Sequence, residues 1–177
     1  FVLLDNSMDE VFEDVKEDVI IVWTYDPVTG LWHMYTPDDI ANDDLTEMTP
    51  GWGYWVLTDN ATILSIAGSL FRPAVTPPDK EIVAGWNLIG YYGNDDGIDG
   101  EAPKFEYTGP IGDGRPATCA LGSLVNTALG YPEWNTLVTY WEPDNPSQWK
   151  FLDFPENMDP GAGYWLEIDE SEIYAFS

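Results

Sequence analysis

The sequence predicts a mainly β protein of the α+β kind: two tandem antiparallel β-sheet modules, each with one short packed helix. Three observations predict it. The stretch Met48-Thr49-Pro50-Gly51-Trp52-Gly53-Tyr54-Trp55-Val56 returns as Met158-Asp159-Pro160-Gly161-Ala162-Gly163-Tyr164-Trp165-Leu166. Each copy is preceded, in the same order, by a helical pattern, a strand, a Pro-containing turn and a Trp-bearing strand. Hydrophobic residues make up 44% of the 177 and aromatic residues 15%, with nine Trp and ten Tyr, which is enough to build cores rather than a disordered chain. The duplication divides the chain into module one at 1–70, a Pro-rich linker at 71–80 and module two at 81–177.

The repeated stretch is a turn that launches a strand. Pro fixes one dihedral and the glycines open backbone angles closed to other residues. Tyr-Trp-aliphatic then places a large apolar surface on a pleat. Before it, Ser7 to Asp18 has helical spacing at Met8, Val11, Phe12, Val15 and Val19, and Ser7 with Glu10 forms a capping box. Val19 to Tyr25 is rich in β-branched and aromatic residues and predicts a strand. Asp26 to Gly30 is a turn, and Leu31 to Tyr35 returns as its partner. Residues 37–47 form an acidic loop. The repeated strand runs to Leu57, and Thr62 to Ala67 predicts one more strand, closed by Gly68.

Arg72 to Asp79 holds three prolines and reads as an extended, stiff linker. Glu81 to Tyr92, which contains Gly85-Trp86-Asn87-Leu88-Ile89-Gly90, predicts a strand. Gly93 to Pro116 is a long polar region. Thr118 to Leu129 predicts the second helix, with Leu121, Leu124, Val125 and Ala128 on one face and Gly130 as its C-cap. Leu137 to Trp141 and Gln148 to Phe154 form a hairpin around Pro143 and Pro146. Asn157 to Ile168 repeats the opening motif, and Glu172 to Phe176 ends the order. Pro27 thus matches Pro143, Trp32 matches Trp149, and Tyr54-Trp55 matches Tyr164-Trp165.

Charge bounds the function classes. The chain has 32 acidic and six basic residues, a formal net charge of −26. Residues 1–70 carry 14 acids and one base, and residues 71–177 carry 18 acids and five bases, so each part holds −13. Such a surface repels nucleic-acid phosphates and anionic lipid headgroups and attracts cations. It fits a salt-adapted protein, an envelope protein bathed in divalent cations, or a very soluble acidic domain. No stretch reaches the roughly 18 apolar residues of a membrane span, so no membrane insertion is expected. The lone Cys119 allows no internal disulfide. The first residue is Phe1 rather than Met, which reads as a mature product or a fragment. Asn60-Ala61-Thr62 is an N-glycosylation sequon, making Asn60 a candidate modification site.

Two cation candidates stand out. Counted from Asp95, an EF-hand-like loop finds Asp95, Asp99, Gly100 and Glu106 at its first, fifth, sixth and twelfth places, but Gly97 breaks the third and no helical pattern flanks it. The expectation is a looser Ca²⁺ site from Asp95, Asp99 and Glu106, set against an Asx-rich turn. The acidic loop at 38–47 is the second candidate, set against a solvated surface loop. His33 is the only histidine, and a zinc site would find only Cys119 besides. A Cys-His dyad would need the two side chains within hydrogen-bond reach. Among 32 acids some pair always lies at a glycosidase-like distance, so carboxylate pairing carries no signal. Trp and Tyr could form a sugar-stacking platform, although most recur at matched positions, as core or interface residues would.

Gly85-Trp86-Asn87-Leu88-Ile89-Gly90, then a helix, Tyr/Trp-x-Pro hairpins and Pro-Gly-x-Gly-Tyr-Trp, resembles a repeat of large prokaryotic cell-surface proteins, especially those of archaeal, methanogen-type envelopes, surface-layer and sheath-like. The resemblance covers 81–177 and most of 1–70. It implies a secreted structural module with no catalytic residues to carry over. The expectation is therefore an extracellular, non-enzymatic subunit on the cell-envelope surface that self-assembles into a homo-oligomeric layer, sheath or filament, with cations and cell-surface glycans as further partners. The alternative is a secreted carbohydrate-binding module. Module one departs from the pattern: nothing equivalent to Gly-Trp-Asn precedes its helix. A sheet short of one strand leaves an open edge. The expected filler is a strand from a neighbouring subunit, with an upstream segment or a strand of module two as alternatives.

Overall fold

The computed structural model describes residues 2–3, 6–37, 43–65, 68–69, 79–91, 115–126, 131–140, 149–153, 156–159 and 161–175. The fold is mainly β, with antiparallel pairing throughout. Module one contains β1 (Val2–Leu3), α1 (Met8–Val11), a 3₁₀ turn (Glu13–Val15), β2 (Val19–Asp26), β3 (Leu31–Tyr35), β4 (Trp55–Thr58) and β5 (Gly68–Ser69). Module two contains β6 (Asp79–Ile82), β7 (Gly85–Gly90), β8 (Arg115–Pro116), α2 (Ala117–Ala120), a 3₁₀ turn (Gly122–Leu124), β9 (Val125–Asn126), β10 (Tyr131–Pro132), β11 (Trp134–Tyr140), β12 (Trp149–Phe151), β13 (Asn157–Met158), β14 (Gly163–Ile168) and β15 (Glu172–Ala175). The first strand of module two thus takes in the last two residues of the predicted linker.

The duplication reaches individual hydrogen bonds. Met8 N–H donates to the Thr46 carbonyl at 2.9 Å, and Ala117 N–H to that of Glu156 at 2.9 Å. Phe12 N–H closes a helical turn on Met8, and Leu121 N–H one on Ala117. Sheet order β3-β2-β4 in module one matches β12-β11-β14 in module two, which adds β7 as a fourth strand. Even the ladder irregularity recurs, between Val19 and Ile21 and between Trp134 and Thr136. The pair β1–β5 has its counterpart in β6–β15.

One face of each sheet is covered by its helical segment. Met8, Phe12 and Val15 pack with Val19, Val22, Tyr35 and Leu45. Ala117, Leu121 and Leu124 pack with Leu137, Tyr164, Leu166, Ile168 and Tyr174. Both helices are shorter than their periodicity predicts. In the first, Asp9–Glu13, Glu10–Asp14, Glu13–Glu17 and Asp14–Asp18 set like charges one turn apart, which opposes propagation. Ser7 still caps it, its Oγ accepting from Glu10 N–H at 3.4 Å. In the second, Val125–Asn126 leaves the helix to pair with Tyr131–Pro132.

Two strand expectations are corrected. Glu81 to Tyr92 is not one strand: the chain turns at Val83–Ala84. Asn87 drives the turn, its Oδ1 accepting from Val83 N–H at 3.0 Å and its amide donating to the carbonyls of Val83 and Gly85 at 2.8 and 3.1 Å. Gly85 completes it with φ of +100°. Thr62 to Ala67 is also corrected, since residues 61–65 are irregular and the strand is Gly68–Ser69. No described strand lies beside 62–65 to satisfy its backbone, and Ile63 is 84% exposed.

The missing fourth strand of module one has a specific outcome. Val2–Leu3, the described part of the N-terminal segment, does not fill it: it pairs with Gly68–Ser69 instead. Module two reaches across. Trp52 bridges Ile89, Gly53 N–H donates to the Leu88 carbonyl at 3.4 Å, and Gly90 N–H donates to that of Gly51 at 3.0 Å. β7 therefore pairs with β14 on one side and with residues 51–53 on the other. This seam leaves no room for side chains. A Cβ on Gly53 would lie 2.7 Å from the Ile89 oxygen, and one on Gly90 would lie 2.5 Å from the Trp52 oxygen. Gly163, the counterpart of Gly53, has only ordinary neighbours from 3.8 Å. Gly53→Ala and Gly90→Ala should each cost about 1–3 kcal/mol in urea unfolding, as overpacking does, and Gly163→Ala much less. Equal effects at Gly53 and Gly163 would contradict the seam.

Candidate functional site

Strand register sorts the aromatic side chains onto one face of each sheet, opposite the helix. In module one, Trp23 lies across from both Met34 and Trp55, and Tyr25 across from Trp32. In module two, Val138 lies across from both Phe151 and Trp165, and Tyr140 across from Trp149. Leu88 and Trp86 of β7 lie across from Trp165 and Glu167, on the same face.

These two faces meet, and the contact is reciprocal. Trp165 of module two stands against the hairpin pair of module one, with ring centroids 5.7 Å from Tyr25 and 5.8 Å from Trp32. Trp55 of module one stands against the hairpin pair of module two, 5.6 Å from Tyr140 and 5.5 Å from Trp149. Trp86 adds a further contact to Trp165 at 6.4 Å. The rings meet at 48–67° in the reciprocal contacts and at 84° between Trp86 and Trp165. Edge-to-face pairs of this kind add about 0.5–1.5 kcal/mol beyond area burial. Leu88 and Val138, on the same face, are 2% and 5% exposed yet lie outside the helix-side core.

The matched Trp55 and Trp165 are thus equivalent, but not as core residues of their own modules. Each is partly buried and packs on the other module. Trp32, Trp149 and Trp86 keep 51%, 49% and 43% of their surface in solvent, so the junction has an aromatic rim.

Polar groups hold both motif copies in one shape. Thr24 Oγ1 donates to the Gly53 carbonyl at 2.7 Å, and Thr139 Oγ1 to that of Gly163 at 2.9 Å. The Tyr54 hydroxyl accepts from Thr49 N–H at 2.7 Å, and the Tyr164 hydroxyl from Asp159 N–H at 2.6 Å. Burial pushes the Tyr54 hydroxyl up to about 12 and raises that of Tyr164 as well.

Lys80 sits at the seam, a residue that the sequence reading left in the linker. It is 4% exposed. Its Nζ donates to the Leu88 carbonyl at 2.7 Å and lies 4.1 Å from the centre of the Trp52 ring. Burial lowers its pKa to about 7, against the opposing pull of Asp26. Burial alternates along Asp79–Ile82, but the sequence does not show it, because the first three residues are all charged and prolines precede them.

The other candidates fall as follows. Asp95, Asp99 and Glu106 lie outside the described residues, as do 38–42 of the acidic loop. The rest of that loop is tied to β3: Asp43 Oδ1 accepts from Thr36 N–H at 2.9 Å, and Asp44 accepts from Met34 N–H at 2.8 Å. Asp44 Oδ2 lies 2.7 Å from His33 Nδ1, so this histidine serves the loop. Cys119 lies in α2. Asn60 is exposed in an irregular segment, its amide donating to Asp18 Oδ1 at 3.0 Å. No group of three or more metal-ligating side chains occurs among the described residues, and no described helix is long and apolar enough to cross a membrane. No family model matches the chain, and neither a curated protein nor a solved structure does.

Two predictions follow from the junction. Trp55→Ala and Trp165→Ala should each cost about 2–3 kcal/mol, below the roughly 3–5 of a fully buried Trp. Double-mutant cycles for Trp55 with Trp149 and for Trp165 with Trp32 should show coupling of about 0.5–1.5 kcal/mol across the modules. Additive effects would mean that the cross-module contacts carry no energy.

The lysine gives a pH dependence. With a folded pKa near 7 and an ordinary value of 10.5, folded Lys80 binds fewer protons than unfolded Lys80 between these limits. Stability from this group therefore rises with pH across that window. Lys80→Met should flatten the rise in melting temperature from pH 7 to about 10. An identical slope in parent and variant would contradict the assignment.

Proposed function

We propose that the chain is a structural subunit of an extracellular assembly on the cell envelope, such as a surface layer, sheath or filament. The observation that carries this reading is the reciprocal aromatic junction. The largest side chains matched across the duplication hold two modules in one arrangement rather than line a cleft. That is what a building block needs, since forces passed along a layer or filament must not pull its repeats apart. The resemblance of the Gly-Trp-Asn and Pro-Gly-x-Gly-Tyr-Trp segments to prokaryotic surface repeats supports the same reading. So does the surface charge, which favours a cation-rich exterior. The exposure of Asn60 in its sequon supports a glycan-bearing surface, and calcium or other divalent ions are the natural counterions.

The half-exposed Trp32, Trp86 and Trp149 favour a second reading, a carbohydrate-binding module. The ring geometry weighs against it. A sugar ring stacks on a flat platform, whereas the rim rings of Trp32 and Trp149 stand at 67° to the tryptophans that they contact. Retention on insoluble polysaccharides, lost on Trp32→Ala or Trp149→Ala, would move the assignment to this second reading.

The primary test is assembly. Purified chain brought from low salt with EDTA into millimolar Ca²⁺ or high salt should form sheets, tubes or filaments by electron microscopy and sedimentation, as screening removes the self-repulsion of the −26 surface. Chelation should loosen them. A chain that stays monomeric under all these conditions would refute the structural reading.

A further inference from the structure

Module two has a four-stranded sheet, and module one has the same sheet with its fourth place unfilled among the described strands. β14 is paired on both sides, by β11 and β7. Its counterpart β4 is paired only by β2 among the described strands. The side chains record the difference. Leu166, covered by its neighbours, is fully buried, whereas its counterpart Val56 is 41% exposed and Leu57 is 47% exposed. An exposed apolar strand edge of this kind is a template for strand addition.

We propose that the free edge of β4 accepts an antiparallel strand of the Gly-Trp-Asn-Leu-Ile-Gly pattern contributed by a second polypeptide that carries the same repeat. The duplication supplies both the occupant and its register. In module two, Leu88 lies opposite Trp165, Asn87 opposite Leu166 and Trp86 opposite Glu167. Transferred to module one, the donor's Leu meets Trp55, its Asn meets Val56 and its Trp meets Leu57. The last pairing is better matched than the original, because an apolar side chain replaces a carboxylate opposite the Trp. The segment Gly85–Gly90 carries no charged residue, so a strand of its kind approaches the acidic surface without repulsion. In this register the donor's Leu-to-first-Gly stretch covers Trp55–Thr58. The chain's own strand of this pattern, β7, is already paired on both sides, so the donor is a repeat whose strand is not engaged in this way. This rests on the assembly reading and names the contact through which another repeat-bearing chain joins it.

The test titrates isotope-labelled full chain, held soluble in EDTA at low salt, with a peptide of residues 83–89 carrying neutral solubilising tails. Saturable NMR shifts centred on Trp55–Thr58, with slowed amide exchange there, are expected. A scrambled peptide should give none. Val56→Lys, at a position already in solvent, should keep the native spectrum and weaken binding at least tenfold. Absent shifts, or shifts matched by the scrambled peptide, would overturn the proposal. So would binding by Val56→Lys equal to the parent's. Because the readout is binding to soluble chain, its failure is separate from failure of assembly, which microscopy judges.

Discussion

Two backbones lie against each other at residues 51–53 and 88–90, and much of the molecule depends on that contact. Side chains cannot enter it: a Cβ on Gly53 or Gly90 would fall within 2.7 Å of a carbonyl oxygen. Its hydrogen bonds make β7 a strand of module two and, at one end, the border of module one. Once the seam fixes the distance between the sheets, their aromatic faces can meet. Trp55 and Trp165 then each reach the other module's Tyr–Trp pair. Lys80 closes the polar account by placing its ammonium on the Leu88 carbonyl beside Trp52. The junction works against electrostatics, since the two parts of the chain carry −13 each. Apolar burial at short range offsets a repulsion that salt screens over roughly 10 Å.

The same contact explains what is left undone. β7 meets module one at residues 51–53 and does not pair with β4, so Val56 and Leu57 stay exposed. A module that kept its fourth strand would pair β4 on both sides, as β14 is paired. The asymmetry between otherwise matching halves is thus concentrated in one strand. That asymmetry gives the molecule a direction, because one module has a four-stranded sheet and the other a three-stranded sheet whose β4 is paired on one side only among the described strands. Directional, head-to-tail contact is the requirement for open assemblies rather than closed pairs.

Much of this architecture was legible in the sequence. The repeated Pro-Gly-x-Gly-Tyr-Trp motif located β4 and β14, the Asp26–Gly30 turn set the β2–β3 hairpin, and Trp32 was correctly aligned with Trp149. The absence of a Gly-Trp-Asn segment before the first helix pointed to the side of β4 that has no partner among the described strands. What was not legible depends on contacts distant in the chain. Periodicity shows that Trp55 and Trp165 belong on an apolar face, but both faces of these sheets are apolar, so it does not show which partner each meets. The helices end early because of acid–acid spacing in one and an unforeseen strand pair in the other. Asn87 turns the chain through three backbone hydrogen bonds, which a propensity reading of Glu81 to Tyr92 as one strand overlooks. Lys80 was assigned to the linker because prolines dominate its neighbourhood, and burial of a cation in so acidic a chain has no local signature.

If the seam and the aromatic junction carry the energy assigned to them, the two modules unfold together. Differential scanning calorimetry of the full chain, at an ionic strength where it is monomeric, measures this most directly. The account predicts one transition whose calorimetric and van't Hoff enthalpies agree. It also predicts that Gly53→Ala with Trp165→Ala splits that transition in two. Two separate transitions in the unmodified chain would mean that the modules are independent beads on a string and would contradict the central claim.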